Sequence, residues 1–167
     1  GLHLRSARAV ARGDGITRDT FLVEDARTGG LAKRRERDAF KKQLTQALLP
    51  GESPEFQTQI DTLAKRDTPA EWEWPTRIRI DTEAAESRTI IEVESADRLG
   101  LLHRISKVLT RYGLSIHVAR ISTEKGAAID TFYVRTALGK KPTDEALLLQ
   151  IQSDLKTELN EQKKDMY

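Results

Sequence analysis

The residues best suited to bind a ligand lie in one short segment, Ser95-Ala96-Asp97-Arg98-Leu99-Gly100-Leu101-Leu102, between a predicted strand and a predicted helix. A glycine before a helix lets a ligand approach the backbone, and free N–H groups in the first turn attract a carboxylate by roughly 0.3 to 1 kcal/mol. Asp97 is placed either to cap this helix, the commoner role, or to bind an ammonium group. Arg98 could cover a carboxylate. The segment therefore predicts an anion-binding site at the start of the helix, called the anion seat below, but it does not identify the ligand.

The remaining chemistry-bearing residues do not form a catalytic or metal-binding pattern. The chain has no cysteine, and its three histidines, His3, His103 and His117, lack metal-ligand spacing. His103 and His117 are better interpreted as surface or boundary residues. Asp19 and Asp130 occupy matching positions, where they could form a carboxylate pair or, with better support, each make a hydrogen bond at the start of a strand. We therefore expect no catalytic residue, no metal ligand and no cofactor within this chain.

Two segments of the chain repeat each other. GLHLRSARAVARGDGITRDTFLV at residues 1–23 aligns with GLSIHVARISTEKGAAIDTFYV at residues 113–134, with a single one-residue gap. Such self-similarity indicates a duplicated structural unit, and the spacing suits two small domains better than a solenoid. A strand and a helix precede the second copy but not the first. We therefore expect a truncated first unit in the C-terminal part of a longer protein.

The hydrophobic pattern predicts the elements that position these residues. Alternating apolar residues and glycine turns predict strands around Leu2–Leu4 and Leu114–Val118, with return strands at Ile16–Asp25 and Ala127–Thr136. Apolar residues at helical spacing predict helices over Leu31–Leu49, Gly100–Tyr112 and Asp144–Asn160, with a possible helical linker over Glu55–Lys65. Extended segments are also expected at Arg77–Asp81, closing the sheet of the first unit, and at Arg88–Ser95.

The order strand, helix, strand, strand, helix is that of a ferredoxin-like α+β fold (βαββαβ), in which an antiparallel sheet carries both helices on one face. The predicted boundaries are 1–81 for the truncated first unit with its linker, 88–160 for the second unit, and 161–167 for a tail.

Composition narrows the class of protein without naming a function. The chain is 38% apolar and 32% charged, carries a net charge of +2, and has no apolar run of membrane-spanning length. The absence of cysteine permits a cytosolic location. A basic cluster from Arg27 to Lys42 could indicate nucleic-acid binding, but Glu36 and Asp38 interrupt it, so a solvated helix face is the better interpretation.

One long string carries a family resemblance: TIIEVESADRLGLLHRISKVLTRYGLSIHVARISTEKGAAIDTFYV, residues 89–134. It resembles an ACT domain, and specifically the last ACT repeat of the bifunctional uridylyltransferase/uridylyl-removing enzymes that modify the PII signal protein. The first copy, with ARGDGITRDTFLV, resembles the second half of the preceding repeat. Leu99 stands where the family usually has proline, which predicts a less preorganised loop that keeps its anion seat.

The resemblance implies a tandem of ACT domains that senses an amino acid, with glutamine as the expected effector, in the cytoplasm. It places the effector against the loop and the second strand, at Asp97, Arg98, Leu99, Gly100, Leu101, Leu102, Ile116 and Val118. The expected partners are the effector and, through the parent enzyme, PII, with no nucleic acid and no membrane. Mg²⁺ would belong to the parent enzyme.

Two other functions stay open. The first is a stand-alone ACT-repeat sensor without catalytic domains, which the reading frame upstream would distinguish. The second is an RNA-binding sheet, which would need exposed aromatic residues on the central strands, whereas Phe21 and Phe132 lie in apolar alternation.

Overall fold

A computed structural model describes residues 2–11, 16–47, 74–124 and 126–160 of the chain. Within these residues six strands form one sheet, accompanied by three helices. The elements are β1 (Leu2–Ala11), β2 (Thr17–Asp25), α1 (Arg34–Ala47), β3 (Arg77–Asp81), β4 (Thr89–Ala96), α2 (Leu101–Arg111), β5 (Leu114–Glu124), β6 (Ala127–Thr136) and α3 (Glu145–Asn160). The linker helix expected over Glu55–Lys65 and the tail 161–167 lie outside the described residues.

The sheet has the strand order β2-β1-β5-β6-β4-β3, and every neighbouring pair is antiparallel. The two copies of the repeat meet at its centre, where β1 pairs with β5 and Arg8 lies opposite Arg120. Both copies also carry a bulge at matching positions, between Leu4 and Ser6 and between Ile116 and Val118. The internal repeat is therefore visible in the backbone as well as in the sequence.

β3 corrects one expectation, because it does not close the sheet of the first copy. Arg77–Asp81 pairs instead with β4, at the edge of the sheet farthest from β2. Ile78 lies opposite Val93 and Ile80 opposite Ile91, so the apolar side of β3 extends the apolar side of β4. The sequence did not indicate that β3 pairs with β4, because pairing depends on which strand has a free edge in the folded sheet. The alternation of apolar residues within β3 contains no information about that edge.

The core lies between one face of the sheet and the helices α2 and α3. From α2 the residues Leu101, Ile105, Val108 and Leu109 are buried, and from α3 Leu148, Ile151, Leu155 and Leu159. They join one apolar cluster with strand residues such as Ile91, Val93, Phe132 and Val134. Each large side chain fully buried in this way stabilises the fold by roughly 1.5–3 kcal/mol. This arrangement is the predicted ferredoxin-like α+β sandwich.

Polar contacts between α2 and α3 fix the helix that follows the candidate loop. The Tyr112 hydroxyl donates a hydrogen bond of 2.8 Å to the Asp154 carboxylate. Arg111 approaches Asp154 at 3.7 Å and Glu158 at 3.8 Å. These contacts lie at the C-terminal end of α2 and fix the helix against α3, so they also fix the position of its first turn.

Candidate functional site

The loop between β4 and α2 is shaped by backbone hydrogen bonds. The Asp97 N–H donates to the Gly126 carbonyl at 2.9 Å, which ties the loop to the turn between β5 and β6. The Leu101 N–H donates to the Arg98 carbonyl at 3.1 Å. Gly100 occupies the N-cap with φ +79° and ψ 3°. This left-handed conformation is strained for residues with a Cβ, so glycine is needed here.

Asp97 does not cap α2, so the commoner of the two roles expected for it is not found in the structure. No side chain makes a capping hydrogen bond at the start of this helix. Within the described part of the chain, the side chains of Asp97 and Arg98 have neither a hydrogen bond nor an ion pair. The loop therefore presents one free negative and one free positive group beside the positive end of a helix dipole.

The structure groups six of the eight residues predicted to bind the effector. Asp97, Arg98, Gly100 and Leu102 are half-buried, Leu99 is 38% exposed, and Leu101 points into the core. Ile116 and Val118 do not lie beside the loop. Ile116 pairs with Val134, which lies near the start of β4, whereas the loop follows its end. The seven residue steps from Thr89 to Ala96 separate these levels by about 23 Å.

The bulge at His117 separates the last two residues from each other as well. Ile116 belongs to the helix-covered face, whereas Val118 lies opposite Tyr133 on the other face. The residues of β5 at the level of the loop are Thr123 and Glu124, which pair with Ala128 and Ala127. The expectation that Ile116 and Val118 face the loop is therefore contradicted by the strand register.

Asp130 is a residue of this region that the sequence interpretation did not assign to the site. It lies on β6 opposite Val93 and is only 1% exposed. Neither carboxylate oxygen has a hydrogen-bond partner among the described residues. Burial raises the pKa of Asp130 to about 7, the nearby Ser122 N–H opposes this rise in part, and the negative charge of Asp97 adds to it.

Both alternatives weighed for Asp130 fail in this geometry. Asp19, its counterpart in the repeat, is exposed on β2, three strand spacings or about 14 Å away, so the two carboxylates do not form a pair. Nor does Asp130 complete a hydrogen bond at the start of its strand. A sequence signal for its burial did exist, because Ala128, Asp130, Phe132 and Val134 alternate on one apolar face.

Two surface clefts among the described residues lie away from the loop. They have volumes of about 340 and 430 Å³ and lie at the start of β1 beside α1 and between β3 and α3. Among these residues there is no cluster of three or more acidic, histidine or cysteine side chains that could hold a metal ion. No helix among them is long and apolar enough to span a membrane.

Comparison with known proteins finds a family model and longer relatives. Residues 84–162 match the ACR family N-terminal ACT domain. Bifunctional uridylyltransferase/uridylyl-removing enzymes from Azospirillum brasilense and Rhodospirillum rubrum are 34% and 28% identical over 93% and 96% of the chain. The enzyme of the same name from Caulobacter vibrioides is 40% identical over 47% of the chain. The chain spans 17% of the length of the first two relatives. No solved structure matches the chain.

Proposed function

Residues 84–162 of this chain form an ACT domain, and on that premise we propose that the chain is an amino-acid-sensing regulatory region of a bifunctional uridylyltransferase/uridylyl-removing enzyme. The similarity to these enzymes confirms the family resemblance inferred from the sequence motifs. Glutamine as the effector, a cytoplasmic location and a tandem of two ACT-like units are further parts of the proposal. The expected boundaries of 1–81 and 88–160 change in one respect, because β3 pairs with β4 and so goes with the second unit.

One observation carries the proposal: an uncapped helix N-terminus with unpaired Asp97 and Arg98 beside it. An amino acid brings one carboxylate and one ammonium group at a short fixed distance. The dipole of α2 and the Arg98 guanidinium favour the carboxylate, while Asp97 favours the ammonium group. A zwitterion thus complements every free charge of the loop.

Regulation would follow from a difference in effector affinity between two arrangements of the region. The loop is bonded to the β5–β6 turn, and β5 is bonded to β1, so a change at the loop can reach the first copy through one sheet. PII and Mg²⁺, implied for the enzyme by the resemblance, would be met by parts of the relatives that this chain does not match. A stand-alone sensor is less supported, because the matched relatives are much longer enzymes.

Calorimetric titration of the chain with glutamine tests the proposal. We expect saturable binding by the wild type and binding weakened by about tenfold in Gly100→Ala, because a Cβ at φ +79° displaces the loop. Gly139→Ala is the matched control, since Gly139 has a similar φ of +76° in a turn away from the site. Its affinity should equal that of the wild type. Absence of glutamine binding by the wild type would overturn the proposal.

A further inference from the structure

The carboxyl group of Asp130 is the buried polar group that the fold leaves least explained. At 1% exposure it lacks hydrogen-bond partners for both oxygens among the described residues, and its neighbours on the same face of β6, Ala128 and Phe132, are apolar. A buried carboxylate without a partner is strongly unfavourable, and native structures rarely retain such a group without a structural or functional reason.

Asp130 lies beneath the loop that Asp97 begins. β4 carries Val93 opposite Asp130 and ends three residues later at Ala96, so the loop starts about 10 Å along the strand. The turn that precedes β6 accepts the hydrogen bond from the Asp97 N–H. The negative charge of Asp97 raises the pKa of Asp130, which indicates that the two carboxyl groups lie at the same end of the sheet.

A positive group beside two neighbouring carboxyl groups would favour the ionised form of both. No lysine, arginine or histidine of the described chain forms an ion pair with Asp97 or Asp130. A calcium or magnesium ion is a poor candidate, because it takes six or more oxygen ligands and the described residues offer no cluster of three suitable side chains. A primary ammonium group donates three hydrogen bonds, which carboxylate oxygens can accept.

We propose that Asp130 and Asp97 together bind the ammonium group of the effector, so that this site selects an amino acid over the carboxylic acid that lacks the amine. This inference rests on the proposed function and assigns a specificity-determining role to a residue of β6. The effector carboxylate then points to the first turn of α2 and to Arg98.

Binding of this kind displaces a proton. Because the pKa of Asp130 is raised to about 7, the carboxyl is largely protonated at pH 6.5, and an ammonium group at its oxygens favours the ionised form. The proton passes from Asp130 to the buffer as the ligand binds. The groups acting on Asp130 are Asp97 from the loop and the Ser122 N–H from β5. We therefore expect glutamine affinity to rise between pH 5.5 and 7.5.

Calorimetry of the whole chain in two buffers of different ionisation enthalpy measures this proton. At pH 6.5 the wild type should release a substantial fraction of one proton per bound glutamine. Asp130→Asn should release none, and at pH 7.5 it should bind roughly tenfold more weakly. Asp19→Asn, which changes the exposed counterpart in the repeat, is the matched control and should behave as the wild type.

Two further measurements separate the possible outcomes. The glutamine analogue without its amine should bind the wild type and Asp130→Asn equally and weakly. Asp97→Asn should reduce proton release, because removing the neighbouring charge lowers the pKa of Asp130.

Glutamine binding and proton release that are unchanged in Asp130→Asn would overturn this inference and leave the proposed function standing. Calcium binding that depends on Asp130 would also overturn it. No glutamine binding by the wild type would overturn both.

Discussion

At the scale of single residues, the balance between burial and backbone hydrogen bonds decides what a carboxyl group does in this molecule. Asp25 and Asp81 accept hydrogen bonds from backbone N–H groups of the turns that follow them, and these bonds lower their pKa values. At Asp130 burial outweighs the nearby Ser122 N–H, which makes no regular hydrogen bond to the carboxyl group, and the pKa moves the opposite way. Aspartate thus stabilises two turns, at Asp25 and Asp81, whereas at Asp130 it provides a group that titrates near neutral pH close to the candidate site.

Asp130 should make the stability of the protein fall as pH rises. Its pKa is about 7 in the folded chain and 3.8 ordinarily, so between these values the folded state holds a proton that the unfolded state has lost. Stability is therefore favoured near pH 4 and decreases toward pH 7, by an amount on the order of 2 to 4 kcal/mol. Asp130→Asn should be more stable than the wild type at pH 8, by about 2 kcal/mol in urea unfolding.

The comparison between the two proteins is made at pH 4 and pH 8. Near pH 4 they should differ little, because the carboxyl group is then protonated in the folded state and roughly half protonated in the unfolded state, and asparagine resembles the protonated acid. Equal stability of the two proteins at pH 8 would contradict the prediction. It would mean that the ionised Asp130 side chain gains a stabilising partner in the folded protein in solution.

At the scale of elements, the pairing of β1 with β5 places like charges together. Arg8 and Arg120 are directly opposite, both exposed, and Arg8 has no acidic partner among the described residues. The Arg120 guanidinium lies 5.5 Å from the centre of the Tyr133 ring, a cation–π contact that moderates its charge. Facing like charges destabilise a sheet, so this pair weakens the joint between the two copies.

Arg8→Glu should therefore stabilise the protein. An opposite-charge pair across antiparallel strands contributes roughly 0.2–1 kcal/mol, and the gain should shrink in high salt. Urea unfolding at low and high salt measures it. Arg5→Glu is the contrasting variant on the same strand, because Arg5 lies 3.6 Å from Glu24 and would lose an ion pair. A lower stability of Arg8→Glu in low salt would contradict the expectation.

The elements also show how far sequence alone reaches. Helical spacing in α2 and α3 gave the correct buried stripes, because an amphipathic helix carries its own pattern. Alternation in Leu114, Ile116 and Val118 predicted one shared face, but the bulge at His117 turns Val118 to the other face. A bulge arises from the hydrogen bonds between two strands, so a single strand's pattern does not contain it.

At the scale of the whole molecule, β3 completes a sheet to which it was not assigned. It covers the outer edge of β4, and Gln152 of α3 donates a hydrogen bond of 2.7 Å to the Ile78 carbonyl. The family match begins at residue 84, after β3. The family match thus leaves this strand out, and the sequence pattern predicted the strand but assigned it to the first unit, because its place depends on long-range pairing.

A chain beginning at residue 84 should be less stable than one beginning at residue 74. Removing β3 exposes the edge of β4 and takes the buried side chain Ile78 out of the core, and an exposed strand edge favours association with another edge. Size-exclusion chromatography and urea unfolding of the two proteins would measure the difference. In the longer chain, Arg77→Gln is a mild control that keeps the strand. Equal stability and a monomeric shorter chain would contradict the role given to β3.

The register between β1 and β5 has a consequence for the origin of such a chain. Ala7 meets Ile121 and Ala9 meets Ala119, so each contact is the image of another under the repeat. An interface of this kind is isologous, as between the subunits of a homodimer. Gene duplication and fusion could therefore join two subunits while keeping every contact they already made, and later substitutions could specialise one half without dissolving the pair.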